Sequence, residues 1–118
     1  MTTTEVANKL VELCRQGKID EAQQELYADN VQSIEAGDMM GPRVVTGMEA
    51  VKQKSKAFQE GVEEFHGATI SDPMVAGNSF AITWGMDATF KGQGRMNMYE
   101  VCVYQVKDGK VVLEQFFY

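Results

Sequence analysis

The sequence predicts an α+β fold, with three helices in the first half of the chain laid against a sheet built mainly from the second half. Two observations carry this. Apolar residues recur at helical spacing up to about Gly61 and alternate from Glu63 onward. The turn signals "GN", "KGQG" and "KDG" then cut the alternating half into strands of hairpin length. No linker, repeat or low-complexity tract interrupts the 118 residues, so they read as one domain, 1–118. A hydrophobic content of 44% is enough to build one core.

Each element has its own signal. Thr2 and Glu5 form a capping box, in which hydroxyl and carboxylate satisfy free amide donors. Val6, Leu10, Leu13 and Cys14 then share a helical face, and Gly17 stops the helix. Asp20 with Gln23 opens a shorter helix carrying Ala22, Leu26 and Tyr27, ended by "YADN". "VQSIE" reads as a short strand, and two glycines and a proline make "AGDMMGPRVV" a loop. Thr46 and Glu49 repeat the capping box ahead of a third helix, whose buried face is Val51, Ser55, Phe58 and Val62. "EEFHGATISDPMVA" is a long strand bent near Pro73, which cannot donate to a ladder. "SFAITWGMDATF", "RMNMYEVCVYQV" and "KVVLEQFFY" follow as strands.

The last strands are apolar on both faces. Even positions carry Met96, Met98, Cys102, Val112, Phe116 and Tyr118; odd ones carry Tyr99, Val101, Val103, Leu113 and Phe117. Helices cover one face, so the other is expected to meet a second copy of the chain in a homodimer.

Composition excludes several classes. With 17 acidic against 11 basic residues, the net charge of −6 argues against nucleic acid, which needs a basic surface. No run approaches the roughly 18 apolar residues of a membrane span. The N-terminus lacks the basic and apolar regions of a signal peptide. Two cysteines, Cys14 and Cys102, lie far apart without CxxC spacing and suit a reducing compartment; a cytoplasmic location is expected. A single histidine and no His/Cys cluster argue against a zinc site. No GxSxG is present, and "FKGQGRM" lacks the Gly-Lys-Ser/Thr ending of a phosphate loop. Nothing points to a nucleotide or flavin, so no cofactor is expected.

Three segments, "GKIDEAQQELYADNV", "VTGMEAV" and "YQVKDGKVVLEQFFY", together with the strand order, resemble the SnoaL-like group of the nuclear transport factor 2-like superfamily over essentially the whole chain. The resemblance implies a cystatin-like α+β roll. Its curved antiparallel or mixed sheet wraps three helices into a cone with a pocket at the wide end. That superfamily holds isomerases, cyclases and epoxide hydrolases beside non-catalytic binding modules, so fold alone leaves function open.

Which face of the last two strands looks into the pocket depends on the "VKDGKV" turn. A two-residue Asp-Gly loop pairs odd positions with even ones. A three-residue loop with Gly109 left-handed instead puts Glu100, Cys102, Tyr104, Val112, Glu114, Phe116 and Tyr118 on one face. The resemblance and the mixed acidic and aromatic character of that set favour the second. On the neighbouring strand Trp84, Met86 and Phe90 share a face. The expected ligand-lining residues are Trp84, Met86, Met98, Cys102, Phe116 and Tyr118, around a small apolar or carbonyl-containing ligand.

The candidate catalytic residues are Glu35, Glu100, Glu114 and His66. Facing inward, Glu100 and Glu114 are diagonal neighbours, and one should keep its proton near neutral pH. The alternative is an exposed pair tied to Arg95, Lys107 or backbone donors. Glu35 falls where the resemblance to ketosteroid isomerases implies a general base; the plainer alternative is an ordinary strand end. The donors that would stabilise an enolate there correspond to Leu10 and, roughly, Cys102, so steroid isomerisation is not expected. Epoxide hydrolysis is not expected either, because Arg43 and Arg95 have no paired aspartates. His66 either forms a His–Glu dyad across the sheet or is a hydrogen-bonded wall residue. Proton transfer next to a carbonyl is the expected chemistry, with a purely ligand-binding or dimerising module as the rival.

Overall fold

The computed structural model describes residues 1–38 and 41–118. Met39 and Met40, in the expected loop "AGDMMGPRVV", lie outside them. Among the described residues, the elements in chain order are α1 (Thr3–Arg15), α2 (Ile19–Leu26), β1 (Tyr27–Ile34), β2 (Val44–Thr46) and α3 (Met48–Glu60). Then come β3 (Val62–Ile70), β4 (Met74–Ala76), β5 (Ser79–Phe90), β6 (Gly94–Lys107) and β7 (Lys110–Phe117). The strands form one sheet in the order β2-β1-β7-β6-β5-β3, with β4 also paired to β5. All pairs are antiparallel except β1 with β7, which makes the sheet mixed. No helix is long and apolar enough to cross a membrane among the described residues.

The first helix forms as its sequence dictates. Glu5 N donates to Thr2 Oγ1 at 3.1 Å, and Thr2 N donates to Glu5 Oε1 at 2.9 Å. Val6, Ala7, Leu10, Val11, Leu13 and Cys14 are buried on one stripe. Their partners in the core are Phe80, Ile82, Cys102 and Tyr104 on the sheet, where Phe80 stacks on Tyr104 at 4.7 Å between centroids. Arg15 ties the end of α1 to the break between β3 and β4, donating to Ile70 O at 2.7 Å and to Asp72 Oδ1 at 3.0 Å. That break replaces the bend expected near Pro73. Both pieces still pair with β5 in succession.

Three local expectations are corrected. Asp20 and Gln23 do not cap α2: its N-cap is Lys18, without a side-chain bond. Thr46 belongs to β2, and Gly47, at φ 101°, caps α3. Tyr27, expected on a helix, starts β1, and Val62 starts β3. At Thr46, Tyr27 and Val62 the strand ladder takes the residue, because pairing satisfies its backbone groups more completely than a helix end does.

The β6–β7 turn resolves the face question by an unexpected route. Lys107 pairs with Lys110 across a two-residue loop, Asp108 at φ 53° and Gly109 at φ 75°. This is the left-handed, strand-matching turn that favours Asp-Gly. It does pair odd with even. A register shift then leaves Val112 as an extra residue, so Tyr104 meets Glu114 and Cys102 meets Phe116. Glu114 and Phe116 are thereby turned inward as expected. Val111, and not Val112, fills the core.

Candidate functional site

Glu114 sits at the centre of a buried polar chain. It is 4% exposed, beside Ser33 at 0%. The Tyr27 hydroxyl donates to Glu114 Oε1. Ser33 Oγ donates to Glu114 Oε2 at 2.6 Å and accepts from Lys54 Nζ at 2.6 Å. Lys54 also forms an ion pair with Glu35 Oε1 at 3.1 Å and lies 5.1 Å above the Phe116 ring. Four elements contribute: β1 carries Tyr27 and Ser33, β7 carries Glu114 and Phe116, α3 carries Lys54, and Glu35 follows β1. The parallel pairing of β1 with β7 places Ser33 directly beside Glu114.

Burial raises the proton affinity of Glu114, while the hydroxyls of Ser33 and Tyr27 and the charge of Lys54 pull the other way. The Tyr27 phenol is pushed up, first by burial and then by the Glu114 charge. Glu100 is pushed up to about 7, chiefly by burial and further by the charges of Glu35 and Glu114; the Cys102 thiol, 3.5 Å away, opposes this. Lys54 is the ammonium among three carboxyl groups. Glu35 Oε2 is buried and has no hydrogen-bond partner. Tyr118, at the end of the chain, lies near Glu35 and Glu100, and its phenol is pushed up by burial first and then by their charges.

The expected residues therefore separate into three groups. Glu35, Glu100, Phe116 and Tyr118 gather around Lys54 on the inner face, with Trp84 paired to Glu100 and Met86 to Met98 alongside. Glu114 and Cys102 lie beneath it, sealed from solvent. Glu100 and Glu114 are not diagonal neighbours, because Cys102 and Phe116 stand between them in the hairpin register.

His66 is elsewhere. It is exposed and bonds to Thr89 Oγ1 at 2.8 Å, on the face that carries Asp87 and Arg95, so the sheet separates it from the glutamates. The expected His–Glu dyad with the pocket acids does not form. Arg95 is held by both oxygens of Asp87, at 3.0 and 2.8 Å. Arg43 bonds the main-chain oxygen of Glu35 at 3.0 Å, not its carboxylate. Among the described residues no cluster of His, Cys, Asp and Glu is arranged to hold a metal ion.

Tyr27, Ser33 and Lys54 escaped the sequence reading. Each left a signal. Ser33 is two residues from Val31 on a strand, which places a hydroxyl on the core face, where it needs a partner. Lys54 stands three residues after Val51 and four before Phe58, on the same helical stripe.

A depression of about 420 Å³ on the sheet is lined by Thr69, Thr83, Gly85, Tyr99, Val101 and Phe117 and shares Trp84 and Glu100 with the site. Tyr99 packs flat over Gly85, where an added Cβ would come within 3.1 Å of the ring and 2.8 Å of Thr69 Oγ1. Asp20, Gln24, Met48 and Lys52 help line a groove of about 550 Å³ between α2 and α3.

A family model for the SnoaL-like domain matches residues 1–118. The chain belongs to the SnoaL-like family. This SnoaL-like protein is 41% identical to a Mesorhizobium loti protein assigned provisionally as a SnoaL-like polyketide cyclase, with a TM-score of 0.93 and 100% of both chains covered. A Xanthomonas campestris protein of unknown function with a cystatin-like fold shares 20% identity at a TM-score of 0.84, over 99% of this chain and 90% of that one. A Jannaschia protein, also assigned provisionally as a SnoaL-like polyketide cyclase, shares 16% identity at 0.75, over 98% and 83%. The last two show a common fold. A search of curated proteins finds none that matches the chain.

Proposed function

We propose that this SnoaL-like protein is a cofactorless acid–base catalyst that moves a proton at a carbon next to a carbonyl, in the manner of an isomerase or cyclase. The carrying observation is the pair of carboxyl groups near Lys54 in different environments. Glu35 is ion-paired to Lys54 with its second oxygen unpartnered, while Glu100 keeps its proton up to about pH 7. One group that can accept a proton beside one that can donate is what such a reaction needs. Trp84, Met86, Met98 and Phe116 supply the apolar walls for a small carbonyl compound.

The test needs no named substrate. In D2O, ¹H NMR should show the protein accelerating α-proton exchange of a simple 1,3-diketone or β-keto ester, with a pH–rate limb near 7. Glu35→Gln should abolish the acceleration, and Glu100→Gln should remove the limb. No acceleration across such a panel, or full activity in Glu35→Gln, would defeat the proposal.

Two further expectations belong to the same reading. The outer face exposes Tyr99 (72%), Phe117 (49%) and Val101 (42%) around the shallow depression, a patch that a second copy would bury in a homodimer. Light scattering after gel filtration should give a dimer at micromolar concentration, and Tyr99→Glu a folded monomer. A wild-type monomer would refute this. Both cysteines are free and buried, which supports a reducing, cytoplasmic setting.

A further inference from the structure

We infer that Lys54 is the electrophile of this site: its ammonium holds the oxygen of an enolising carbonyl, and the buried chain Ser33–Glu114–Tyr27 exists to aim it. The inference rests on the acid–base reading above and extends it to a residue and a support that sequence reasoning did not find.

An ammonium has three N–H donors. Lys54 gives one to Ser33 Oγ and one to Glu35 Oε1, and the described residues offer it no third acceptor within bonding distance. Glu35 Oε2 meanwhile accepts no hydrogen bond of ordinary length, and the Tyr118 hydroxyl beside the carboxylate is its neighbouring donor. An unused donor and an unused acceptor thus stand side by side, joined by the same ion pair. An enolisable carbonyl presents the complement: an oxygen that accepts, and on the adjacent carbon a hydrogen that can be taken.

The step balances within these groups. The Glu35 carboxylate, on a side chain that is 23% exposed, takes the α-hydrogen as a proton, so the C–H bond breaks and an O–H bond forms. The electron pair becomes the C=C bond, and the carbonyl becomes an enolate oxygen beside Lys54. Negative charge leaves Glu35 as it appears on that oxygen. Lys54, bonded to the first and facing the second, keeps an anionic partner throughout, and no solvent shell has to reorganise. Reprotonation at carbon, from Glu35 or from Glu100, completes an isomerisation.

Positioning comes from the sealed chain. A lysine on an exposed helix face sweeps many rotamers. This one is anchored through Ser33, whose only hydrogen goes to Glu114, whose other oxygen accepts from Tyr27. Three buried residues therefore fix one ammonium, with Phe116 beneath it at 5.1 Å. Ser33, Glu114 and Tyr27 are positioning residues, out of reach of a substrate.

The test uses 4-nitrophenol as an enolate mimic, because its ionised form absorbs visible light and the bound species can be read directly. Titrated at pH 6 into the wild-type protein, it should bind as the phenolate, so the absorbance rises on binding. Lys54→Met should weaken phenolate binding by about 10- to 100-fold. Lys54→Arg should restore part of it. Ser33→Ala, checked for folding by circular dichroism, should weaken it several-fold with Lys54 still present. Binding of the neutral phenol only, no binding by the wild type, or equal phenolate affinity in Lys54→Met would each overturn the inference, whatever the proton-exchange result. Phenolate bound through Lys54 with no carbonyl exchange would instead overturn the acid–base reading and leave the anion site standing.

Discussion

Replacing Glu114 with alanine should destabilise the protein by about 3–5 kcal/mol. The Tyr27 and Ser33 hydroxyls would lose their shared acceptor in a region sealed from water, at about 1–3 kcal/mol each. The vacated space adds a cavity cost. Glu114→Gln should lose less, about 1–3 kcal/mol, since it keeps one acceptor oxygen but turns a donor toward a hydroxyl that also donates. Urea unfolding at pH 7 measures both. A loss below about 1 kcal/mol for the alanine variant would mean that the buried chain is not a structural support.

The second large effect is a pH dependence that one substitution should remove. Glu100 holds its proton up to about pH 7 in the fold, against about 4.5 in an open chain. Between those values the folded state binds a proton that the unfolded state has released. Stability therefore falls as pH rises from about 4.5 and levels off above about 7. For this half-buried group the total is about 2 kcal/mol, discounted for solvent screening. Glu100→Gln, which imitates the protonated form, should match the wild type near pH 4.5 and exceed its stability at pH 8 by about that amount. Glu114 acts in the same direction in both proteins, so it cancels in the difference. Urea melts across pH 4.5–8 that give a pH-independent difference would contradict the burial of Glu100. The gain also identifies Glu100 as a residue kept at a cost to stability, which is the usual mark of a functional carboxyl.

Much of the architecture is legible in local sequence. The Thr2/Glu5 box, the Val6–Leu10–Leu13–Cys14 stripe and the turns at Gly77–Asn78 and Asp108–Gly109 act over a few residues, and they form as their chemistry requires. Local signals failed where a sheet competed for the same residues. Thr46 could cap α3, but β2 claims it through its pairing with Gln32. Tyr27 could continue α2, but β1 claims it beside Val111. The turn at Lys107–Lys110 showed a different limit. Its Asp-Gly pair specifies the loop, yet the face presented by Glu114 is set by the extra residue Val112 further along the strand.

The site was legible as residue types and not as an arrangement. Glu35 and Glu100 lie near each other on the inner face, while His66 sits on the opposite face bonded to Thr89. Glu114 faces inward but lies too deep to touch a ligand.

Periodicity and turn chemistry settle the α+β class and the single core, because those follow from side chains within one or two turns of each other. Only the fold in three dimensions could join Ser33 to Glu114 across 81 positions and Lys54 to Ser33 across 21. Such contacts have no local signature. They depend on a parallel strand pairing between distant parts of the chain, and it is that pairing that turns three scattered glutamates and a surface-type lysine into one charged cluster.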